Sequence, residues 1–249
     1  MAEKIVVSKH QGVMRLLMNR PEKKNALDRE MYLALIAALE AAAAEDEVRA
    51  IVFAGAGGNF TAGNDLADFR DFSADGGTFP ALGFVRAAAG FEKPLVAAVT
   101  GDAVGVGATL LFHCDLVYAS PDARFKMPFI DLALPPEGAA SLLAPQRFGM
   151  AKASEYLLLG ERFDGAEALR LGLANALAPP LEVLDLAMEQ ARRLAEKPKQ
   201  ALRAARRLMR GDATDVLARI DDEAALFAQA LASPEARERF DAFFASRTR

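Results

Sequence analysis

Residues 95–107 read Leu-Val-Ala-Ala-Val-Thr-Gly-Asp-Ala-Val-Gly-Val-Gly. The first five form an unbroken apolar run, too short for a helix and bounded by Pro94 and Thr100-Gly101, which predicts a strand covered on both faces. A glycine-rich turn follows and leads into a helical pattern over residues 107–113. The same order stands upstream, where the apolar run 50–54 (Ala-Ile-Val-Phe-Ala) precedes a second glycine-rich stretch ending at Asp65. Residues 115–119 (Asp-Leu-Val-Tyr-Ala) read as a third strand, and helical patterns over 66–72 and 79–89 fill the interval between the first two. Strand and helix in alternation, with strands buried on both faces, predict an α/β fold on a parallel or mixed sheet.

Toward the N-terminus, Ile5 and Val7, then Val13, Leu16 and Met18, form two β-type runs around Gln11-Gly12, a predicted hairpin. Asp28 is placed to cap a helix whose apolar positions Met31, Leu35, Ala38, Leu39 and Ala42 recur at helical spacing. Beyond Arg124-Phe125-Lys126 the β pattern thins, and helices are predicted over 139–146, 151–159, 165–171 and 181–196, with Asp164 and Glu167 spaced as a capping box. Lys197-Pro198 interrupts the pattern, dividing a body of residues 1–195 from a helical region of residues 196–249. That region carries Ile220, Leu226, Phe227, Leu231, Phe240, Phe243 and Phe244, too apolar to stand in water, so it must pack on its own body or on another copy of the chain.

The 249 residues include 30 Lys and Arg against 34 Asp and Glu, a net charge of −4 that offers no basic footprint for nucleic acid. Cys114 is the sole cysteine, and with only His10 and His113 beside it neither a disulfide nor a mixed Cys/His zinc site is expected. No secretory leader and no uncharged run long enough to span a membrane is visible, and the final Ser-Arg-Thr-Arg is not a peroxisomal Ser-Lys-Leu address, so a cytoplasmic protein is expected. Phe60 and Leu110 fill the third glycine position of G-x-G-x-x-G, and neither a phosphate-binding G-x-x-x-x-G-K-[ST] nor a G-x-S-x-G elbow occurs. Cys114 directly follows His113, and such neighbours do not face each other as nucleophile and base, so a buried structural cysteine is the reading. Asp68, Asp71 and Asp75 at helical spacing read as a solvated face.

What remains is a pair of glycine-rich loops, each after a buried strand. Either alone is explained by turn chemistry, since glycine tolerates left-handed backbone. Two loops that lead into helices present free N–H groups, and two such groups aimed at one point stabilise negative charge on a carbonyl oxygen.

Phe60-Thr-Ala-Gly-Asn-Asp-Leu66 and Gly101-Asp-Ala-Val-Gly-Val-Gly107 resemble the two oxyanion segments of the crotonase, or enoyl-CoA hydratase/isomerase, superfamily. Asn19-Arg-Pro21, Asn25-Ala-Leu27, Lys93-Pro94, Cys114-Asp115 and the stretch from Gly160-Glu161 to Gly172-Leu173 follow in the family's order, so the resemblance covers nearly the whole chain. It implies a spiral of ββα units with a C-terminal helical trimerisation region, a homotrimer or a hexamer made of two trimers, and an acyl-CoA thioester as substrate with no separate cofactor and no metal. By position, the donors to the thioester oxygen would be the N–H groups of Asn64 and Val106, with Ala62, Lys23 and Lys24 in the CoA-binding loops.

The two glutamates of the hydratases fall at Thr109 and Phe129, neither of which moves a proton as a carboxylate does. Residues 128–141, Pro-Phe-Ile-Asp-Leu-Ala-Leu-Pro-Pro-Glu-Gly-Ala-Ala-Ser, instead resemble the Δ3,Δ2-enoyl-CoA isomerase branch, whose single glutamate stands at Glu137. The apolar residues around it would raise its pKa and suit it to act as a base, whereas the plain alternative is a carboxylate complementing the dipole of the helix that follows. Asp131 is a second carboxylate that could assist. The acyl tail would lie near residues 69–84. Other reactions of the superfamily (hydration, thioester hydrolysis, dehalogenation) and a non-catalytic acyl-CoA-binding role are the alternatives.

Overall fold

The computed structural model describes residues 3–67 and 80–246. Gln11 (φ 49°) and Gly12 (φ 77°) are both left-handed, the backbone a two-residue turn needs to match strand twist. They join strands β1 (Ile5–His10) and β2 (Val13–Met18) in an antiparallel ladder running from Ile5 opposite Met18 to His10 opposite Val13. From β2 the sheet continues in parallel through β3 (Ala50–Gly55), β4 (Leu95–Val99), β6 (Leu116–Ala119) and β9 (Ala176–Leu177).

The remaining strands, β5 (Asp102–Val104), β7 (Arg124–Lys126) and β8 (Phe163–Asp164), make a second, three-stranded sheet. The sequence does not announce it, because strands of two or three residues carry no measurable alternation. Its first strand lies inside the glycine-rich turn 101–107 and reduces that turn to Gly105 and its neighbours.

Among the described residues the α-helices are α1 (Arg29–Ala44), α2 (Pro80–Ala89), α3 (Val106–Thr109), α4 (Ala140–Phe148), α5 (Met150–Leu158), α6 (Gly165–Arg170), α7 (Val183–Ala195), α8 (Lys199–Arg210), α9 (Thr214–Leu231) and α10 (Pro234–Ser246). Asp28 accepts a hydrogen bond from the Met31 N–H at 3.0 Å and Asp164 from the Glu167 N–H at 2.9 Å, so both N-caps form, while the Glu167 carboxylate pairs with Tyr156 and Arg170 instead of closing the capping box. The predicted helix 66–72 and the residues Asp68, Asp71 and Asp75 fall wholly or mainly outside the described residues.

The two-face burial of the central strands has a direct cause in side-chain alternation. Ala50, Val52, Ala54, Val96 and Ala98 turn to one side and pack with Val183, Ala187, Ala191 and Ala195 of α7. Ile51, Phe53, Leu95, Ala97 and Val99 turn to the other, into the larger core with α1 and α2. The C-terminal helices are partly absorbed by the body: Ile220 and Phe240 join the larger core, with Phe227, Leu231 and Phe244 packed against it. By contrast α8 buries no residue, and Leu208 and Met209 on it are 81% and 86% exposed.

Candidate active site

The two glycine-rich loops are bound to each other. Thr61 bridges Ala103, its N–H donating to the Asp102 carbonyl and its carbonyl accepting from Val104. Leu27 bridges Asn64 from the far side, bonding Gly63 and Asp65 on either side of it, so the Asn64 N–H points away from Leu27. Gly63 (φ 86°) comes so close to the second loop that a Cβ there would stand 2.7 Å from the Val104 carbonyl oxygen. Gly105 (φ 56°) then turns the chain into α3, whose first residue, Val106, has an N–H without an intrahelical acceptor. Asn64 and Val106 are thus brought to adjoining backbone segments.

Buried Asn25 holds the first loop in place. Its side-chain amide donates to the carbonyls of Ala56 (2.8 Å) and Asn59 (2.7 Å), and its own carbonyl accepts from the Thr61 hydroxyl at 2.7 Å. Fully buried Tyr32 of α1 donates its hydroxyl to the Asn64 side-chain oxygen.

Glu137 reaches the same place from the loop before α4. The Thr109 hydroxyl, one turn along α3 from Val106, donates to Glu137 Oε1 at 2.5 Å. Gly138 (φ 72°) permits that approach, since a Cβ on it would lie 3.1 Å from the Thr109 oxygen. Burial raises the Glu137 pKa to about 7, with the charge of Glu223 adding to the rise and the Thr109 hydrogen bond opposing it. A carboxyl so poised is divided between its two protonation states near neutrality and can both take and return a proton.

Residues 8–248 match the sequence profile of the family described as enoyl-CoA hydratase/isomerase. The chain belongs to the enoyl-CoA hydratase/isomerase family. It is 36% identical to enoyl-CoA delta isomerase 2 of Rattus norvegicus over 88% of its own length and 57% of that protein's, and so spans a little over half of that relative. With 2,3-dehydroadipyl-CoA hydratase of Escherichia coli K12 it shares 34% identity over 98% of itself and 96% of the relative. The crystal structure of an enoyl-CoA hydratase/isomerase from Pseudoalteromonas atlantica T6c superimposes with a TM-score of 0.93 at 40% identity, covering 98% of both chains. The fold is therefore the crotonase-like α/β fold that the sequence motifs imply.

The other residues expected at a site of this family fare differently. Asp131 does not join Glu137: its carboxylate is half-exposed, pairs with Lys126 at 2.7 Å and lies against Gly160, while the carboxylate acting on Glu137 is Glu223. Lys23 and Lys24 are exposed, and Lys24 pairs with Asp102 at 2.9 Å while its carbonyl accepts the Ala62 N–H at 2.9 Å. Thr109 and Phe129 are both buried. The Cys114 thiol is buried and pushed up to about 12, hence protonated and unreactive at neutral pH. Among the described residues no group of three or more His, Cys, Asp or Glu side chains is placed to hold a metal ion, and no helix is long and apolar enough to cross a membrane.

Three residues at the site escape the sequence reading. Buried His113 is held near pKa 4 by desolvation, so its ring is neutral at neutral pH and Nε2 donates to the Gly138 carbonyl at 2.9 Å. Tyr32 has the sequence signature of one more apolar position of α1. Buried Glu223 of α9 accepts from the N–H groups of Ala139 (2.6 Å) and Ser141 (2.9 Å), capping α4 from a distance. Its signal is present in the sequence: Val216, Ile220, Glu223 and Phe227 share one helical face, so a carboxylate stands at a core position. Glu223 also occupies the role considered for Glu137, that of the carboxylate complementing the α4 dipole.

Proposed function

We propose that this chain is an acyl-CoA isomerase that moves the double bond of a 3-enoyl-CoA into conjugation with the thioester. The observation that carries the reading is the Glu137 carboxyl, raised to about 7 and hydrogen-bonded to Thr109 one helical turn from the Val106 N–H. Glu137 takes a proton from C2, the electron pair of that bond shifts toward the thioester carbonyl, and the dienolate oxygen accepts hydrogen bonds from the Asn64 and Val106 N–H groups. The protonated Glu137 then delivers the proton to C4, leaving the double bond between C2 and C3. Lys23 and Lys24, with the Ala62 backbone, are assigned to the CoA, the lysines as point charges toward its phosphates.

The delta isomerase relatives support this reaction, and the buried Thr109 and Phe129 support it against hydration, since neither supplies a carboxylate for activating water. The exposed Leu208 and Met209 of α8 support self-association into a trimer or hexamer, which light scattering tests against the single-chain mass of 26.7 kDa.

Mixing the protein with a 3-enoyl-CoA and following the ultraviolet band of the conjugated thioester, beside Glu137→Gln, tests the reaction. Conjugation by the unmodified protein alone, without 3-hydroxyacyl-CoA, is the expected result. A 3-hydroxyacyl product overturns it in favour of hydration. Ligand binding without turnover in both proteins points to an acyl-CoA-binding role.

A further inference from the structure

The loop that carries Glu137 is anchored by a helix more than eighty residues away. Ala139, directly after Gly138, holds a left-handed backbone (φ 57°, ψ 22°) that alanine adopts only at a cost, and it opens α4 with no side-chain cap of its own. The cap comes from α9. Both oxygens of Glu223 are engaged there, one by the Ala139 N–H and one by the Ser141 N–H, and Arg219, one turn earlier on α9, donates to the Ser141 hydroxyl at 3.1 Å. On its outer face α9 is tied to α2 through the ion pair of Asp221 with Arg86.

We propose that Glu223 is a positioning residue for Glu137: by holding the strained Gly138-Ala139 turn and setting a second buried carboxylate behind the first, it makes the orientation and protonation of the base depend on the docking of α9. The proposal rests on the reading of Glu137 as the base. Among the described residues, the charged and titratable groups facing the pair come from three elements. Arg219 faces Glu223 from α9, Tyr32 faces Glu137 from α1, and neutral His113 faces the turn through the Gly138 carbonyl. Burial raises Glu223 as well as Glu137, and the charge of Glu223 adds to the rise at Glu137.

The test compares Glu223→Gln with Asp222→Asn, which removes the same charge from an exposed neighbouring position. Glu223→Gln keeps the side chain's shape but loses the charge and one of its two acceptors. Carbon-13 resonances of labelled glutamate carboxyls are followed through pH, with the Glu137 signal identified by its absence in Glu137→Gln. Expected are a fall in the Glu137 midpoint of at least about half a pH unit in Glu223→Gln, the same shift in the acid limb of kcat/KM, and a loss in kcat of about tenfold with KM little changed. Asp222→Asn should match the unmodified protein in all three.

A drop in stability or kcat with the midpoint unmoved makes Glu223 a cap only and overturns the proposal, as does a Glu223→Gln protein indistinguishable from the original. If Glu223→Gln does not fold, the unmodified protein decides: coupled titration shows a second inflection in the Glu137 curve, and a single independent curve overturns the idea. Full activity in Glu137→Gln removes the reading of Glu137 as the base, while the carboxyl titration still decides, on its own, whether the pair is coupled.

Discussion

Gly63 and the Val104 carbonyl oxygen approach so closely that no side chain fits between the two loops that position Asn64 and Val106. Gly63→Ala meets two penalties, a positive φ of 86° and a Cβ 2.7 Å from that oxygen. Gly58, with φ 78° and open space around its Cβ, meets only the first. Gly58→Ala should therefore cost about 1 kcal/mol of stability. Gly63→Ala should cost about 2–3 kcal/mol and lower kcat at least tenfold by separating the two N–H donors. Thermal unfolding and steady-state kinetics on the pair of variants separate backbone strain from loop displacement.

Thr109→Val removes the hydroxyl that donates to Glu137 while keeping the volume of a fully buried side chain. The hydrogen bond lowers the Glu137 pKa against the effect of burial, so its loss moves the carboxyl further up from about 7. A hydrogen bond to a charged group contributes about 1.5–3 kcal/mol, so the acid limb of the kcat/KM profile should rise by about one to two pH units. Activity at pH 6 should fall by about tenfold to a hundredfold and partly return by pH 9. A profile unchanged in shape would show that Thr109 does not bear on the base.

A raised carboxyl is also a statement about stability. Between the unfolded value of 4.5 and the folded value of about 7, the folded chain keeps the Glu137 proton and the unfolded chain releases it, so the Glu137 contribution to stability falls as pH rises through that window. Glu137→Gln has no such proton to lose. It should match the original protein near pH 4.5 and exceed it by roughly 3 kcal/mol above pH 7. Denaturant titrations at pH 5 and pH 8 measure the difference, and a gap that does not widen with pH contradicts the raised pKa.

The fold was open to reading from the sequence wherever a strand was long enough to show its environment. Residues 50–54 and 95–99 are apolar on both faces because α7 covers one side and α1 with α2 the other, and that burial is written into every position. The second sheet was closed to reading, since Phe163 and Asp164 alone make a strand only through their partner Arg124-Phe125. At the site, motif order marked Asn64, Val106 and Glu137 because each lies in a short local pattern. Glu223 and His113 act through backbone groups 82 or more and 25 residues away respectively, and only the folded chain brings such partners together. Asp131 lay near Glu137 in sequence, yet the turn of residues 130–132 carries it outward to Lys126.

His113 makes the acid side of the stability curve a second measurable feature. Its ring is held near pKa 4 against 6.5 when unfolded, so between those values the unfolded chain binds the proton that the folded chain refuses. Its contribution to stability is complete above pH 6.5 and is lost as pH falls toward 4. Glu137 has the opposite slope from 4.5 to 7, and the two nearly cancel where the windows overlap. Removing either group should expose the other. Glu137→Gln should gain stability steadily from pH 4.5 to 6.5. His113→Gln, which keeps a donor for the Gly138 carbonyl, should lose stability over the same range. The contrast needs only chemical denaturation at three pH values, and parallel curves for the two variants would mean that at least one of these buried groups titrates as it does in water.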